Sequence, residues 1–382
     1  MSEQKEINAF IKNVHLKGYK SVKDLSVRLN NGLNIIIGPN GSGKTNFVEF
    51  LSAVLEYNNN SISKQRYSAS ILIKSAKKDF EIKEIYETNK ENFELGISSK
   101  SIKSIVVDKE NINISSEIEF SFQIFSISRW IKIKPTKILF KIPEDFGRDM
   151  LSDLGQFHVS GKFDIVEADF LASVFENNLF QFTYNLIVEE NRKIEKKDIL
   201  KMLEFNSSLL ENLNRFSPIK NIKLIDALSF YADKDSIKVN NLKLEFYVNN
   251  KWLTWSELSD GTRRIFHIIS EINHNNGIIF LEEPENGVHP DQLQLLLDFL
   301  LEQSKTKQII LTTHAPEVLN ILHEDELDKI IVTRFDENTG TQMHHLSEKQ
   351  KKKGKAYMKN VGYLSMFWAY SSLEKYVPEE HE

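Results

Sequence analysis

Cysteine is absent from all 382 residues, which excludes a disulfide framework and thiolate zinc or iron–sulfur sites and suits a reducing compartment. No uninterrupted apolar run approaches the roughly 18 residues of a membrane span. The stretch from Met1 to Ala9 is charged where a signal peptide needs an apolar segment. Neither export nor membrane embedding is expected, and the expected location is the cytoplasm. An excess of one charge sign is lacking too. With 49 basic against 54 acidic residues the net charge is -5, so any nucleic-acid contact needs a local patch. There is no internal repeat and no heptad run long enough for a coiled-coil arm. What is present is 41% hydrophobic residues, enough for the core of one large soluble domain or two ordinary ones.

Alternating apolar and polar positions over 9–37 (Phe10, Ile11, Val14, Leu16, then Leu25, Val27, Leu29) predict two or three strands before a buried one, Leu33 to Ile37. Phe47, Val48, Phe50, Leu51, Val54 and Leu55 recur at helical spacing and predict a helix from Asn46 to Tyr57, ended by the polar stretch 58–63. From about residue 61 the character changes, first to β-rich segments at 69–74, 80–86, 118–127 and 130–142, then to helical spacing over 165–188 and 199–216. Strands are expected again at 222–230, 237–239 and 242–248. The expected organisation is thus a first half-core over 1–60, an inserted β-rich then helical subdomain over 61–235, a second half-core over 236–340, and a basic and aromatic segment over 341–382.

Between the buried strand and the helix lies Gly38-Pro39-Asn40-Gly41-Ser42-Gly43-Lys44-Thr45, the G-x-x-x-x-G-K-[ST] pattern in its required place. Successive glycines let backbone N–H groups point inward around a phosphate, and the positive end of the following helix favours the anion. Lys44 adds a mobile positive charge toward the β- and γ-phosphates, and Thr45 offers Mg2+ a hard oxygen ligand. Gly38 to Asn46 are therefore candidate nucleotide-binding residues, with ATP and Mg2+ as the expected ligands. A second apolar strand, Ile278 to Leu281, ends in Glu282-Glu283-Pro284-Glu285. Such a carboxylate cluster needs a cation. Glu282 is placed to hold Mg2+ through water, and Glu283 to polarise the water that attacks the γ-phosphate. Glu285 either shapes the turn or makes a contact across a dimer.

Leu258-Ser259-Asp260-Gly261-Thr262-Arg263-Arg264 opens a helix expected to run to about Ile272, with Ser259 suited to N-capping and Gly261 to close backbone approach. Ile309-Ile310-Leu311 leads to Thr312-Thr313-His314, a strand carrying an imidazole at its end. In order along the chain, these motifs resemble the set of ABC ATPases, specifically the RecF/SMC-like soluble branch. They are similar to the heads of overcoming-lysogenisation-defect nucleases and to the ATPase subunits of Septu, PARIS and retron antiphage systems. The resemblance implies an α/β fold, a P-loop NTPase of the ABC type with a three-layer mixed sheet and a large α+β insertion. It implies that Ser259 and Gly261 bind the γ-phosphate held by an opposite subunit, that His314 is the switch histidine, and that ATP is sandwiched between the heads of a homodimer or higher homo-oligomer. Asp260 and Thr262 depart from the transporter signature, and Glu282 stands where the branch more often has aspartate. Gln65 and Gln123 are candidates for the magnesium-contacting glutamine.

The family implies an ATPase acting as a nucleotide-driven switch in antiphage defence or DNA processing, with a separate effector protein, a nuclease or toxin. A RecF-type repair ATPase is the alternative, with a transporter subunit behind it. A nuclease domain of the overcoming-lysogenisation-defect type is not expected, because no acidic D-x-D pattern follows His314. Instead Lys349 to Lys355 is a basic run, followed by Tyr363, Leu364, Phe367, Trp368 and Tyr370 at helical spacing. It reads as a solvated loop before a docking helix, or as a contact for DNA, RNA or a partner protein.

Overall fold

Runs of branched apolar residues with no polar side are satisfied only by burial on both faces, and parallel strands under helices provide it. The computed structural model describes residues 9–55, 67–75, 79–87, 100–107, 110–112, 121–127, 133–139, 157–159, 174, 197, 200–201, 203–224, 226, 229–232, 237–240, 244–274 and 278–371. In chain order the strands are β1 (Ala9–Tyr19), β2 (Val22–Arg28), β3 (Leu33–Ile37), β4 (Tyr67–Ser75), β5 (Asp79–Glu87), β6 (Lys100–Val107), β7 (Glu110–Ile112), β8 (Ser121–Ile127), β9 (Ile133–Leu139), β10 (Phe157–Val159), β11 (Ile219–Leu224), β12 (Ser229–Ala232), β13 (Ile237–Asn240), β14 (Leu244–Val248), β15 (Lys251–Thr254), β16 (Ile278–Glu282), β17 (Gln308–Thr313), β18 (Ile330–Asp336) and β19 (Gly340–His345). The helices are α1 (Lys44–Leu55), α2 (Ser207–Phe216), α3 (Asp260–His274), α4 (Pro290–Gln303), α5 (Glu348–Asn360) and α6 (Leu364–Ser371).

The chain divides into two compact units. The first comprises Met1–Pro143, Asn276–Asn286 and Leu300–Glu382, and the second Glu144–Asn275 and Gly287–Phe299. Among the described residues the first unit holds one sheet of 13 strands, ordered β7-β6-β5-β4-β1-β2-β19-β18-β3-β17-β16-β8-β9. Its centre is parallel: β18, β17 and β3 pair in one direction, and β16 joins β17 to β8. Every residue of β3, β16 and β17 is buried, as their apolar runs require. Antiparallel ladders flank that centre, β19 against β18 and β2 on one side and β9 against β8 on the other. The sheet is mixed, as expected. The segment expected as an insertion, 61–235, contributes β4 to β9 to this sheet, with β4 pairing directly with β1.

In β1 the buried positions are Ile11, Val14, Leu16 and Tyr19, so the period of two slips by one residue after Ile11 and again before Tyr19. The ladder to β4 shifts register at the first of these points, between Ile11 and Asn13, which marks a bulge. A bulge leaves backbone groups short of ladder partners, and the wholly buried Gln308 at the head of β17 supplies them. Its Oε1 accepts from Ile11 N–H at 2.8 Å, and its Nε2 donates to Ile11 O at 2.8 Å and to Asn30 O at 2.7 Å. Helix α1 is seated by an aromatic trio, Tyr19, Phe50 and Tyr67, with ring centroids 5.2 to 5.8 Å apart.

Among the described residues the second unit carries two three-stranded sheets, β10-β13-β12 and β11-β14-β15. Phe246 of β14 meets Phe266 of α3 edge-on at 5.0 Å. Asn206 caps α2 by accepting from Leu209 N–H at 2.9 Å, and the Asn273 side chain of α3 bonds to Asn206, Ser208 and Asn212. Of the helical spacing expected over 165–188, all but Val174 lies outside the described residues, as does the polar stretch 58–63.

One expectation needs correction. The Lys349 to Lys355 run is not a loop but the first half of α5, started by a capping box in which Ser347 and Gln350 bond each other. Lys351 pairs with Asp328 and, at 2.7 Å, with Glu348. Gly354 is the buried point of the helix, where a Cβ would lie 3.2 Å from Leu327 Cδ1. The docking helix does form as α6, through buried Leu364 and Trp368, while Tyr363 and Tyr370 face outward. No helix among the described residues is long and apolar enough to cross a membrane.

Replacing Gln308 by leucine should keep the buried volume while leaving the Ile11 and Asn30 groups without their partners. Losing a buried bond costs about 1–3 kcal/mol per orphaned group. The urea midpoint of Gln308→Leu should fall accordingly, and a midpoint equal to that of the parent would show that the latch contributes nothing.

Candidate active site

Strand β3 runs straight into the phosphate loop. Gly38 N–H donates to Thr313 O at 3.3 Å, and Phe47 N–H to Gly43 O at 3.0 Å, so the loop passes into α1 without a break. Gly41 and Gly43 hold φ of 80° and 97°, the left-handed region that favours glycine. A Cβ on Gly43 would lie 2.0 Å from Thr341 Oγ1, and one on Gly38 2.1 Å from Thr333 O, so the loop is pressed against β18 and β19. A Cβ on Gly41 would meet nothing within 4 Å. Ser21, in the β1–β2 turn, joins this contact: its Oγ is 2.7 Å from Thr341 Oγ1 and accepts from Asn46 Nδ2 at 2.7 Å. Neither Ser21 nor Thr341 stood out in the sequence, because a lone hydroxyl far along the chain carries no pattern.

Lys44 is buried and donates to Gly38 O at 2.7 Å and Pro39 O at 3.0 Å. Ser42 Oγ is buried with no hydrogen-bond partner among the described residues, an uncommon condition for a hydroxyl and one that a phosphate oxygen would relieve. Glycine-shaped loop, helix N-terminus, buried lysine and orphaned hydroxyl together fit a bound polyphosphate. Pro39 and Asn40 sit exposed at the loop's rim, and Thr45 is exposed on the first turn of α1.

Glu282 closes β16 in parallel register with Thr312. Glu282 and Glu283 are only 8% and 5% exposed. Glu283 has φ of 44°, a left-handed conformation that costs a non-glycine residue roughly 1–3 kcal/mol and persists only when its surroundings impose it. Those surroundings are visible. Glu283 N–H donates to Thr312 O at 2.8 Å, and its carbonyl accepts from Asn286 N–H at 3.1 Å. Asn286 Nδ2 also donates to Glu283 Oε2 at 2.6 Å. His314, at the tip of β17, places Nδ1 3.4 Å from Glu283 Oε1 and 3.8 Å from Glu285 Oε1. Glu285 accepts from Thr313 Oγ1 at 2.5 Å, and burial pushes its carboxyl up against the lowering effect of that bond and of His314. Glu285 thus shapes the turn and ties it to the end of β17.

Thr45 and Glu282 are hard oxygen donors. Among the described residues no three His, Asp or Glu gather into a metal cage. Two hard oxygen donors are of the kind that Mg2+ takes beside waters and phosphate oxygens.

The serine and glycine of the signature lie in the second unit, whereas the loop, the acidic turn and His314 lie in the first. Ser259 caps α3, its Oγ accepting from Thr262 N–H at 3.2 Å. A Cβ on Gly261 would lie 2.5 Å from Gly287 O, so the expected close approach is real. Two turns along, His267 is buried and edge-on to Trp255 at 5.0 Å. Burial, aided by Arg263, pushes its imidazole down to about 4, so it is uncharged near neutrality. Of the two glutamine candidates, Gln65 lies outside the described residues, and Gln123 sits on β8 in register with Lys137.

Residues 33–320 match the AAA_21 family, described as "AAA domain, putative AbiEii toxin, Type IV TA system". An "ATP/GTP phosphatase" from Helicobacter pylori is 24% identical over 357 residues, covering 82% of this chain and 88% of that protein. The "Retron Ec83 probable ATPase" of Escherichia coli is 23% identical over 386 residues, covering 83% of this chain and 70% of its own length. An Smc head domain derived from Pyrococcus furiosus, bound to the C-terminal domain of ScpA, superposes with a TM-score of 0.51 at 13% identity, covering 92% of this chain and all of that one. The chain belongs to the AAA_21 family, an ABC-like P-loop ATPase with the fold of an SMC head.

Proposed function

We propose that the chain binds ATP with Mg2+, hydrolyses it, and uses that cycle as a switch in antiphage defence or DNA processing to control a separate nuclease or toxin. The observation that carries the chemistry is the meeting of three neighbouring parallel strands at one edge: β3 ends in the phosphate loop, β17 in His314 and β16 in Glu282 and Glu283. Lys44 and the loop amides would bind the β- and γ-phosphates. Thr45 and Glu282 would hold Mg2+, which when bound neutralises phosphate charge. Glu283 is the general base toward the attacking water, with His314 beside it. Ser259 and Gly261 would close on nucleotide held by a second copy, which makes the active unit a dimer of heads. The defence role draws support from the relative named as a retron ATPase and from the toxin–antitoxin description of the family.

Lys44→Ala should abolish ATP binding or turnover in a folded protein, because it removes the loop's cation and nothing from the apolar core. Undiminished hydrolysis by that folded variant would remove the loop from the active site.

Glu283→Gln keeps the side chain's shape and removes its basicity. Hydrolysis should fall by roughly two to four orders of magnitude while ATP still binds. Trapped ATP should then hold two heads together, so light scattering with ATP and Mg2+ should report a dimer that Ser259→Arg prevents. Parental turnover in Glu283→Gln would rule out Glu283 as the base, and silence of both ATP and Ser259→Arg in the sizing experiment would rule out a shared site.

Lys349, Lys352, Lys353, Lys355 and Lys359 are exposed along α5 and make it a candidate for contact with DNA or RNA. Reversing four of these charges should weaken binding and flatten its salt dependence, since each lost phosphate contact releases about one counterion fewer. Superimposable salt titrations would leave α5 as a solvated face.

A further inference from the structure

A glutamate that serves as a base must present one oxygen along a fixed line, and its long side chain does not do so unaided. The cost of misplacement is high: about 1 Å of displacement is enough for a hundredfold loss of rate. In this structure Glu283 is met on both carboxylate oxygens, Oε2 by Asn286 Nδ2 at 2.6 Å and Oε1 by His314 Nδ1 at 3.4 Å. The first contact is short and charge-assisted, the kind that fixes geometry. An ionised carboxylate only accepts, so the amide edge turned toward it must be the NH2 of Asn286. The same residue also closes the turn with its backbone, donating to Glu283 O at 3.1 Å. Asn286 therefore grips both the main chain that holds Glu283 at φ of 44° and the side chain that projects from it.

We infer that Asn286 is a positioning residue: it holds Glu283 by Oε2 and so leaves Oε1, the oxygen beside His314, to face the water. This rests on Glu283 being the base proposed above. The competing view is that Asn286 is merely a turn former. Asparagine and aspartate serve turns almost equally well, because each bonds its own nearby backbone and tolerates unusual φ. As partners for a carboxylate they are opposites, one donating and the other repelling. Alanine lies between, neither donating nor repelling.

The test compares Asn286→Ala and Asn286→Asp in the full chain, measuring steady-state ATP turnover, affinity for a non-hydrolysable ATP analogue, and thermal midpoint. Positioning predicts that kcat falls about tenfold in Asn286→Ala and further in Asn286→Asp, within the range that misplacement produces. KM and analogue affinity should stay within about threefold of the parent, as expected for an interaction that matters to the reacting geometry rather than to binding. In a Glu283→Gln background, Asn286→Ala should change the residual rate less than about twofold, since the two residues act as one unit. The inference is overturned if Asn286→Asp turns over ATP like the parent, if alanine is more damaging than aspartate, or if the loss lies in nucleotide affinity. Should Glu283→Gln itself hydrolyse ATP normally, the base assignment fails and Asn286 falls with it. That outcome is distinct from one in which Glu283→Gln is inactive and only the Asn286 series disagrees.

Discussion

Two successive backbone carbonyls at the end of β17 govern the candidate site. Thr312 O accepts the N–H of Glu283, and Thr313 O accepts the N–H of Gly38. Carbonyls alternate sides along a strand, so one central strand reaches the acidic turn on one flank and the phosphate loop on the other. The next residue is His314 itself. Elements drawn from residues 38, 283 and 314 are therefore set in height against one another by adjacent peptide units, with little room for independent drift. The Thr313 side chain adds to the same joint, since its Oγ1 donates to Glu285 and so carries the turn that follows Glu283.

Around this joint the chain accepts local cost in return for placement. Glu283 sits in a conformation that glutamate avoids, and Gly38 and Gly43 lie where any side chain would collide with β18 or β19. A strained residue such as Glu283 persists where function needs a fixed shape, and here it is over-determined by hydrogen bonds to Thr312 and Asn286. The second unit shows the same economy on α3: Ser259 caps the helix, Gly261 lets it approach Gly287, and His267 on its buried face is kept neutral by burial.

Much of the central architecture was legible because buried parallel strands leave continuous apolar runs. Leu33 to Ile37, Ile278 to Leu281 and Ile309 to Leu311 each announce a strand whose end then carries candidate site residues, and the loop motif is local by nature. Pairing over distance was not legible: nothing in the alternation of 67–75 says that β4 will join β1. The helix over the lysine run was hidden for a different reason. It touches the core chiefly through Gly354, so it has no apolar stripe to read, and its start depends on a Ser347–Gln350 exchange that looks like ordinary polar sequence. Asn286, Ser21 and Thr341 are single polar residues whose importance exists only in three dimensions.

Gln308 has a consequence beyond closing a bulge. β17 is buried on both faces from end to end, so hydrophobicity alone would accept the strand shifted by one or two residues against its neighbours. A slipped arrangement would still look well packed, yet it would carry the Thr312 and Thr313 carbonyls away from their partners. The amide at the strand's opposite end discriminates between these alternatives, because only one alignment lets it meet Ile11 and Asn30 together. A polar residue at the head of a wholly buried strand thus acts as an error check during assembly, proofreading at one end of the sheet the alignment that the other end needs.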